Sequence, residues 1–410
     1  MRPNVCHVKT TPSTSNPSVG AEGPVSREAT QTELLAGRHR FLPYRPALDG
    51  LRAVCVFAVV AYHFAPETWT GGLLGVSVFF TLSGYLITTL LLLESERTGT
   101  SDLGAFWARR IRRLAPAAIV TTLVVLLIAS WGQWGWSNAL RSSDPIAAVW
   151  SYMNWHQISI APTAGLRIVH PLSPYWSLAV EEQFYAIIGV IYLGVRHLKQ
   201  PAIAMLAITA CAWIGGAATA LFGNLSTTMA EWGTHVRAPE IAAGVILACV
   251  LFLTKRQPRG RATDILGWAS FATLLALFLL AAKTQWWLFH GGFALVSVVS
   301  VGVLIGLLSD SSLSRVLGWR PLAFLGTMSY AIYLVHWPVR VAIVPENVGG
   351  LDGIPLAALR LVVALALAAL LHFGIERPFM RRFPASPRRV FLIWIAVSLA
   401  VTGLAYGLLS

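Results

Sequence analysis

Charge is what this chain has least of. Only 12% of its 410 residues are Asp, Glu, Lys or Arg, while 56% are hydrophobic, and the mean hydropathy is +0.64. A soluble domain of this size could not hide so much apolar surface from water. Acids are scarcer than bases, 18 against 31, leaving a net charge of +13. The four cysteines, Cys6, Cys55, Cys211 and Cys249, show neither disulfide nor metal-ligand spacing, so no metal site is expected. Phosphate-binding loops and G-x-S-x-G elbows are missing, and no permanently bound cofactor is expected. No segment alternates apolar and polar residues in strands of about ten, which excludes a transmembrane β-barrel. Residues 1 to about 42 lack the apolar core of a cleaved signal peptide; rich in Ser, Thr, Pro and Gly, they read as a disordered cytoplasmic tail.

What is present is a series of apolar runs, each near the roughly 20 residues needed to cross a hydrocarbon core of about 30 Å. They fall at roughly 47–65, 72–93, 115–131, 173–195, 201–222, 236–254, 264–282, 287–308, 321–344, 353–374 and 389–409. The expected fold is all-α: a polytopic transmembrane bundle of about 10–11 spans in the plasma membrane. The basic residues cluster in alternate connections, such as Arg109, Arg110, Arg112 and Arg113, or Lys255, Arg256, Arg259 and Arg261. With the N-terminus inside, inner connections hold 18 Lys and Arg and the outer ones 6. That asymmetry predicts a cytoplasmic N-terminus and an outer C-terminus. It also assigns the positive charge to the bilayer rather than to nucleic acid. The longest outer connection, about 132–172, is rich in Trp, including Trp134, Trp136, Trp150 and Trp155. It reads either as an interfacial aromatic belt or as a platform for sugar rings.

Five stretches carry titratable groups where they are expensive. Asp49, Arg52 and His63 lie on the first run; Asp49 suits an N-cap, and His63 stands eleven residues, about 16 Å, beyond Arg52. Snorkelling by Arg52 and an interfacial His63 form the alternative reading. Trp176-Ser177-Leu178-Ala179-Val180-Glu181-Glu182-Gln183-Phe184-Tyr185 places two acids inside a span. Glu181, about 13 Å from the outer end of its run, is near the depth of His63, and a carboxylate beside an imidazole raises its basicity. In Phe106-Trp107-Ala108-Arg109-Arg110-Ile111-Arg112-Arg113, Arg110 and Arg113 share a helical face. That face suits the phosphates of a nucleotide-like ligand, or else lipid phosphates. Ser329, Tyr330 and His336 lie on the ninth run before Pro338, and Glu376-Arg377-Pro378 ends the tenth with an expected ion pair.

Together these stretches resemble the acyltransferase 3 family of membrane O-acyltransferases. The matching pieces are RPALDGLRAVCVFAVVAYHF, GGLLGVSVFFTLSGYLIT, FWARRIRRLAP, PYWSLAVEEQFY, SYAIYLVHWP and IERP, in the family's order, over about 45–380. The resemblance implies a membrane domain over 43–380, with an additional transmembrane helix over 381–410. It implies transfer of an acyl group, acetyl in the first instance, from acyl-CoA (acetyl-CoA) to a sugar hydroxyl. Its functional positions fall on Arg52, His63, Arg110, Arg113 and the stretch from Trp176 to Glu182. Many members carry Asp where Ser77 stands, and His-Thr where Pro174-Tyr175 stands, which bears on the acceptor rather than on the reaction. Some relatives add an extracytoplasmic esterase-like domain. None is expected here, so the acyl group is transferred by this chain alone or passed to a separate extracytoplasmic partner.

The resulting expectation is an integral membrane O-acyltransferase whose acceptor is an extracytoplasmic glycan or cell-envelope polysaccharide. His63 is the general base or acyl carrier, Glu181 and Glu182 orient it, and Arg52 assists. Arg110, Arg113 and Arg109 bind acyl-CoA. Trp176, Ser177, Tyr185, Ser329, Tyr330, His336, Glu376 and Arg377 contact substrate or support the site. Two other readings remain: acylation of a small molecule such as a macrolide sugar at the cytoplasmic face, and a transporter or flippase using the same charges as its path.

Overall fold

The computed structural model describes residues 44–99, 101–164, 170–382 and 386–409; the tail expected over 1–42 lies outside them. The long helices are α1 (Pro46–Phe64), α2 (Gly75–Thr98), α3 (Leu103–Ser130), α4 (Tyr175–Val195), α5 (Pro201–Phe222), α6 (Ala238–Thr254), α7 (Arg261–Leu280), α8 (Phe293–Leu308), α9 (Ser329–Ala342), α10 (Gly353–Leu371) and α11 (Pro387–Leu409). No strand occurs among the described residues. Nine helices there are long and apolar enough to cross a membrane, and the broken pair Arg320–Thr327 and α9, bent by 64°, makes a tenth. The apolar helix α6, with 17 residues, is shorter than these. The bundle is polytopic as expected, but the run at 321–344 is not one straight span.

Local sequence sets the helix ends. Pro46 opens α1, since its fixed φ suits the first turn and its missing N–H would have no partner there. Asp49 is therefore inside the first turn rather than at the N-cap. Asp102 caps α3, accepting from the Ala105 amide at 2.9 Å. The arginine-rich stretch thus forms the first turns of a 28-residue helix that begins twelve residues before the expected 115. Gly99 ends α2 in the left-handed region at φ 74°.

Which helices are interior follows from what they carry. α1 and the segment Gly72–Thr98 have 61% and 67% of their apolar window buried, against 17% for α11. The interior helices hold Arg52, His63 and the small residues. Gly84 on α2 and Gly244 on α6 let two backbones touch: a Cβ at Gly244 would lie 1.9 Å from the Thr81 oxygen, and one at Gly84 2.1 Å from that of Ile241. α1 and α2 run antiparallel, with Gly75 against Cys55 and Val59. Ser83, about 12 Å further along α2, therefore comes level with the Arg52 end of α1. Gly244→Ala is expected to destabilise the protein by about 1–3 kcal/mol through overpacking, seen as a lower melting temperature of detergent-solubilised protein; an unchanged melting temperature would refute this contact.

Candidate functional site

α1 presents one polar cluster at each end. At its last turn, His63 faces a cavity of about 280 Å³ that is also lined by Trp176, Arg237, Tyr333, Trp337 and Arg340, with Tyr62, Gln157, Glu231, Trp232 and Lys283 around them. The C-terminal carbonyls of a helix lack intrahelical donors, and Arg340 Nε supplies one to the His63 oxygen at 2.8 Å. Trp337 sets its ring edgewise to His63, with centres 4.7 Å apart. Its indole N–H donates to the His170 oxygen at 2.9 Å. His336, with no exposed surface, lies behind His63: Nδ1 of His63 is 3.0 Å from Nε2 of His336. Tyr333 donates to the Pro174 oxygen at 3.1 Å and meets the Ser177 hydroxyl at 2.6 Å.

The other cluster lies toward the Arg52 end. Arg52 pairs with Asp49 at 3.9 Å and is within electrostatic reach of Arg113, Glu181 and Glu376. Glu181 accepts from the Ser83 hydroxyl and lies 3.9 Å from Arg110. The Arg110 guanidinium covers the Tyr185 ring at 3.4 Å, and Tyr185 donates to Ser83 at 3.1 Å. Glu182 accepts from Ser151. Arg109, half-exposed, pairs with Glu94 at 3.4 Å. Tyr330 donates to the Leu114 oxygen at 2.9 Å, while the Ser329 hydroxyl is buried with no hydrogen bond among the described residues.

These positions correct several expectations. Neither Glu181 nor Glu182 is hydrogen-bonded to His63, whose ring partner is His336; both acids have other partners. The depth count fails because His63 stands at the very end of α1, level with the start of α4, where Ser173 and Trp176 line the same cavity; Glu181, five residues beyond Trp176, lies about 7.5 Å deeper, near Arg110 and Arg52. Glu376 pairs with His372 at 2.7 Å, one helical turn away, rather than with Arg377, whose guanidinium lies over Phe373 at 5.2 Å. Trp134, Trp136, Trp150 and Trp155 do not line the cavity; the tryptophans that do are Trp176, Trp232 and Trp337. The connection between α3 and α4 turns into the bundle instead of staying at the surface. Its Ser151, strained at φ 57°, is held by Glu182 and by Gln183, whose side chain donates to the Ser151 oxygen at 2.9 Å. Among the described residues no cluster could hold a metal ion.

A second buried ion pair escaped the reading of the sequence. Arg237 and Glu240, three residues apart, meet at 2.7 Å and are 1% and 0% exposed. The Arg237 guanidinium also lies over Phe293 at 3.7 Å and within 5.5 Å of Phe80 and Trp176. The available signal was the R-x-x-E spacing at the head of the apolar run beginning near 236, the same logic that drew attention to Glu181. Removing one partner leaves an uncompensated charge, so Arg237→Leu is expected to cost about 3–5 kcal/mol. Arg237→Leu combined with Glu240→Leu should recover most of it in thermal unfolding; equal melting temperatures for the single and double variants would contradict the pairing.

Asp144, His156 and His170 form a buried cluster in the inward-turning connection, with His156 Nε2 2.8 Å from Asp144. Burial pushes His170 down to about 4, against the opposing pull of Asp144. Burial alone would raise the Asp144 carboxyl; the His156 bond, His170 and the Arg141 amide outweigh it and hold it below the usual range. Folded His170 stays neutral while the unfolded chain would protonate near 6.5. The cluster's contribution is therefore full above pH 6.5 and falls toward pH 4, and loss of the Asp144 carboxylate adds to this at still lower pH. Hydrogen exchange over 143–164, corrected for intrinsic rates, should accelerate from pH 7 to 5, and His170→Gln should flatten that rise.

Residues 45–373 match the family described as "Acyltransferase domain". The chain is 32% identical over 348 residues to the O-acetyltransferase OatA of Staphylococcus aureus, covering 83% of this chain and 58% of that protein. It is 32% identical over 374 residues to the peptidoglycan O-acetyltransferase OatA of Listeria monocytogenes, covering 86% and 59%. A putative O-acetyltransferase of S. aureus is 32% identical over 359 residues, covering 84% and 58%. The chain thus spans under three fifths of the length of these relatives. No solved structure matches it significantly. The chain is a multi-pass integral protein of the plasma membrane, and it belongs to the acyltransferase 3 family.

Proposed function

We propose that this protein is a membrane O-acyltransferase that moves an acyl group, acetyl in the first instance, from cytoplasmic acyl-CoA to a hydroxyl of a cell-envelope glycan. The names of its relatives support the reaction, and the Listeria relative's name supports peptidoglycan as the acceptor. The distribution of Lys and Arg supports a cytoplasmic N-terminus, which puts the Arg52 end of α1 on the donor side and His63 on the acceptor side.

The observation that carries the reading is the spacing of two unlike polar clusters along one interior helix. Arg52 and Arg113 are like charges within reach of each other, an arrangement stabilised when an anion such as the CoA pyrophosphate lies between them. Arg109, half-exposed, stands on the approach, while Arg110 holds Glu181. From Arg52 the extended pantetheine arm carries the thioester toward His63, about 16 Å away along the helix. There the acceptor hydroxyl gives its proton to His63 as its oxygen attacks the thioester carbonyl. The C–S bond breaks, and the CoA thiolate leaves and takes the proton back from the imidazolium. The thioester is already activated, so positioning and proton removal supply the catalysis. Trp176, Trp232 and Trp337 offer ring faces for sugars, with Glu231, Lys283 and Gln157 as hydrogen-bonding groups.

Membrane vesicles given labelled acetyl-CoA and a peptidoglycan acceptor should acylate it only when donor reaches the cytoplasmic face. His63→Ala should insert normally and lose about 10²–10⁴-fold in transfer; a normally inserted His63→Ala protein with full activity would overturn the role given to His63.

A further inference from the structure

We infer that His336 is a positioning residue that fixes the tautomer of His63, so that a neutral imidazole takes the place a carboxylate holds in most histidine-based active sites. The inference rests on the acyl-transfer reading above and deepens it by naming the atom that takes the proton.

Donors and acceptors along the chain of contacts fix both tautomers. His336 Nδ1 lies 2.6 Å from the backbone oxygen of Tyr333. A carbonyl oxygen only accepts, so Nδ1 of His336 carries a proton. A neutral imidazole has one N–H, which leaves a lone pair on Nε2 of His336. That nitrogen lies 3.0 Å from Nδ1 of His63, and with no proton of its own it can only accept; His63 Nδ1 therefore carries the hydrogen between them. Neutral His63 is then left with a lone pair on Nε2. The ring centres are 5.0 Å apart with 26° between the planes, so with nitrogens at 3.0 Å the rings meet edge to edge and the contact is a hydrogen bond rather than face stacking.

The surroundings hold this arrangement. His336 is buried and does not line the cavity, whereas His63 does, so His336 acts only through His63. The anchoring carbonyl belongs to Tyr333, whose hydroxyl is itself tied to Pro174 and Ser177. Arg340 fixes the backbone of His63, and Trp337 covers the edge of its ring. No carboxylate is hydrogen-bonded to either imidazole among the described residues; the acid that lines the cavity, Glu231, is paired with Lys283 at 2.7 Å. When His63 takes a proton on Nε2, its Nδ1–H strengthens as a donor, and the lone pair of His336 is already in place to receive it. A catalytic imidazole's tautomer is set by the bond its other nitrogen makes, and here that bond is supplied by a chain of two histidines ending on a backbone oxygen.

Two measurements test this. In protein labelled with ¹⁵N at the histidine ring nitrogens, His63 should show a protonated Nδ1 and an unprotonated Nε2, with scalar coupling across the hydrogen bond to Nε2 of His336. A protonated His63 Nε2 overturns the assignment whatever the enzyme's activity, which keeps this failure distinct from failure of the acyl-transfer reading. Kinetically, His336→Leu removes the acceptor and should lower kcat by about 10²-fold, with KM for acetyl-CoA and for the glycan unchanged within about twofold. His336→Gln, whose Oε1 can accept at the position of Nε2, should recover most of the lost kcat. Full activity in His336→Leu, or equal loss in the Leu and Gln variants when both fold and insert normally, refutes the positioning role.

Discussion

A charged or titratable side chain inside an apolar bundle has to find its partners in the protein, because hydrocarbon offers no donor, acceptor or counter-ion. That constraint shapes this molecule more than any other. Asp49 with Arg52, Arg110 with Glu181, Arg237 with Glu240 and His372 with Glu376 are four such solutions. Three join residues three or four apart along the chain, spacings that bring helical side chains to one face. Arg110 and Glu181 join α3 to α4, and Ser83 of α2 completes the same group. Glu182 illustrates the reach of the constraint: its partner, Ser151, comes from a connection drawn down into the bundle, with the backbone strained to deliver it.

Helix α1 turns these local solutions into a directional device. It is largely interior and carries one polar group near each end. The rise per residue fixes their separation at about 16 Å regardless of how the neighbouring helices tilt. The two ends differ in kind. Around Arg52 the groups are ionic and mutually compensating, and around His63 they are aromatic, neutral or already paired. An anionic donor and a hydroxylic acceptor would each find suitable chemistry at one end, with the apolar middle of the helix keeping the two apart.

The fold was largely legible because apolar length is a strong signal: every run anticipated in the sequence is helical. Geometry between runs was not legible. The broken helix at Met328 and the inward turn before Ser151 depend on packing against α1 and α4, which no local pattern encodes. The candidate residues were singled out by their cost rather than by their partners, and this is why the pairings of Glu181 and Glu376 were misjudged. His63 stands at the end of α1, level with the start of α4, whereas Glu181 lies deeper along α4, so Glu181 was matched to His63 when it belongs with Arg110. The same cost argument, applied to Arg237 and Glu240, would have found the pair now seen beside the cavity.

The histidine pair follows from the same constraint. A carboxylate beside His63 would make a stronger base, but it would also be a resting charge in a low-dielectric wall, needing its own counter-ion. Arg340, hydrogen-bonded to the His63 oxygen at 2.8 Å, is close enough to capture such a carboxylate, which would then no longer serve the imidazole. A second neutral imidazole avoids both difficulties: it adds no charge at rest, and its tautomer is dictated by a backbone carbonyl that cannot titrate. The resulting base is weaker than one in a carboxylate triad. The thioester donor proposed above would tolerate that, since its leaving group is a stabilised thiolate and the proton need only be drawn off an attacking hydroxyl. The demand for buried charge balance and the modest demand of the proposed chemistry would then select the same arrangement.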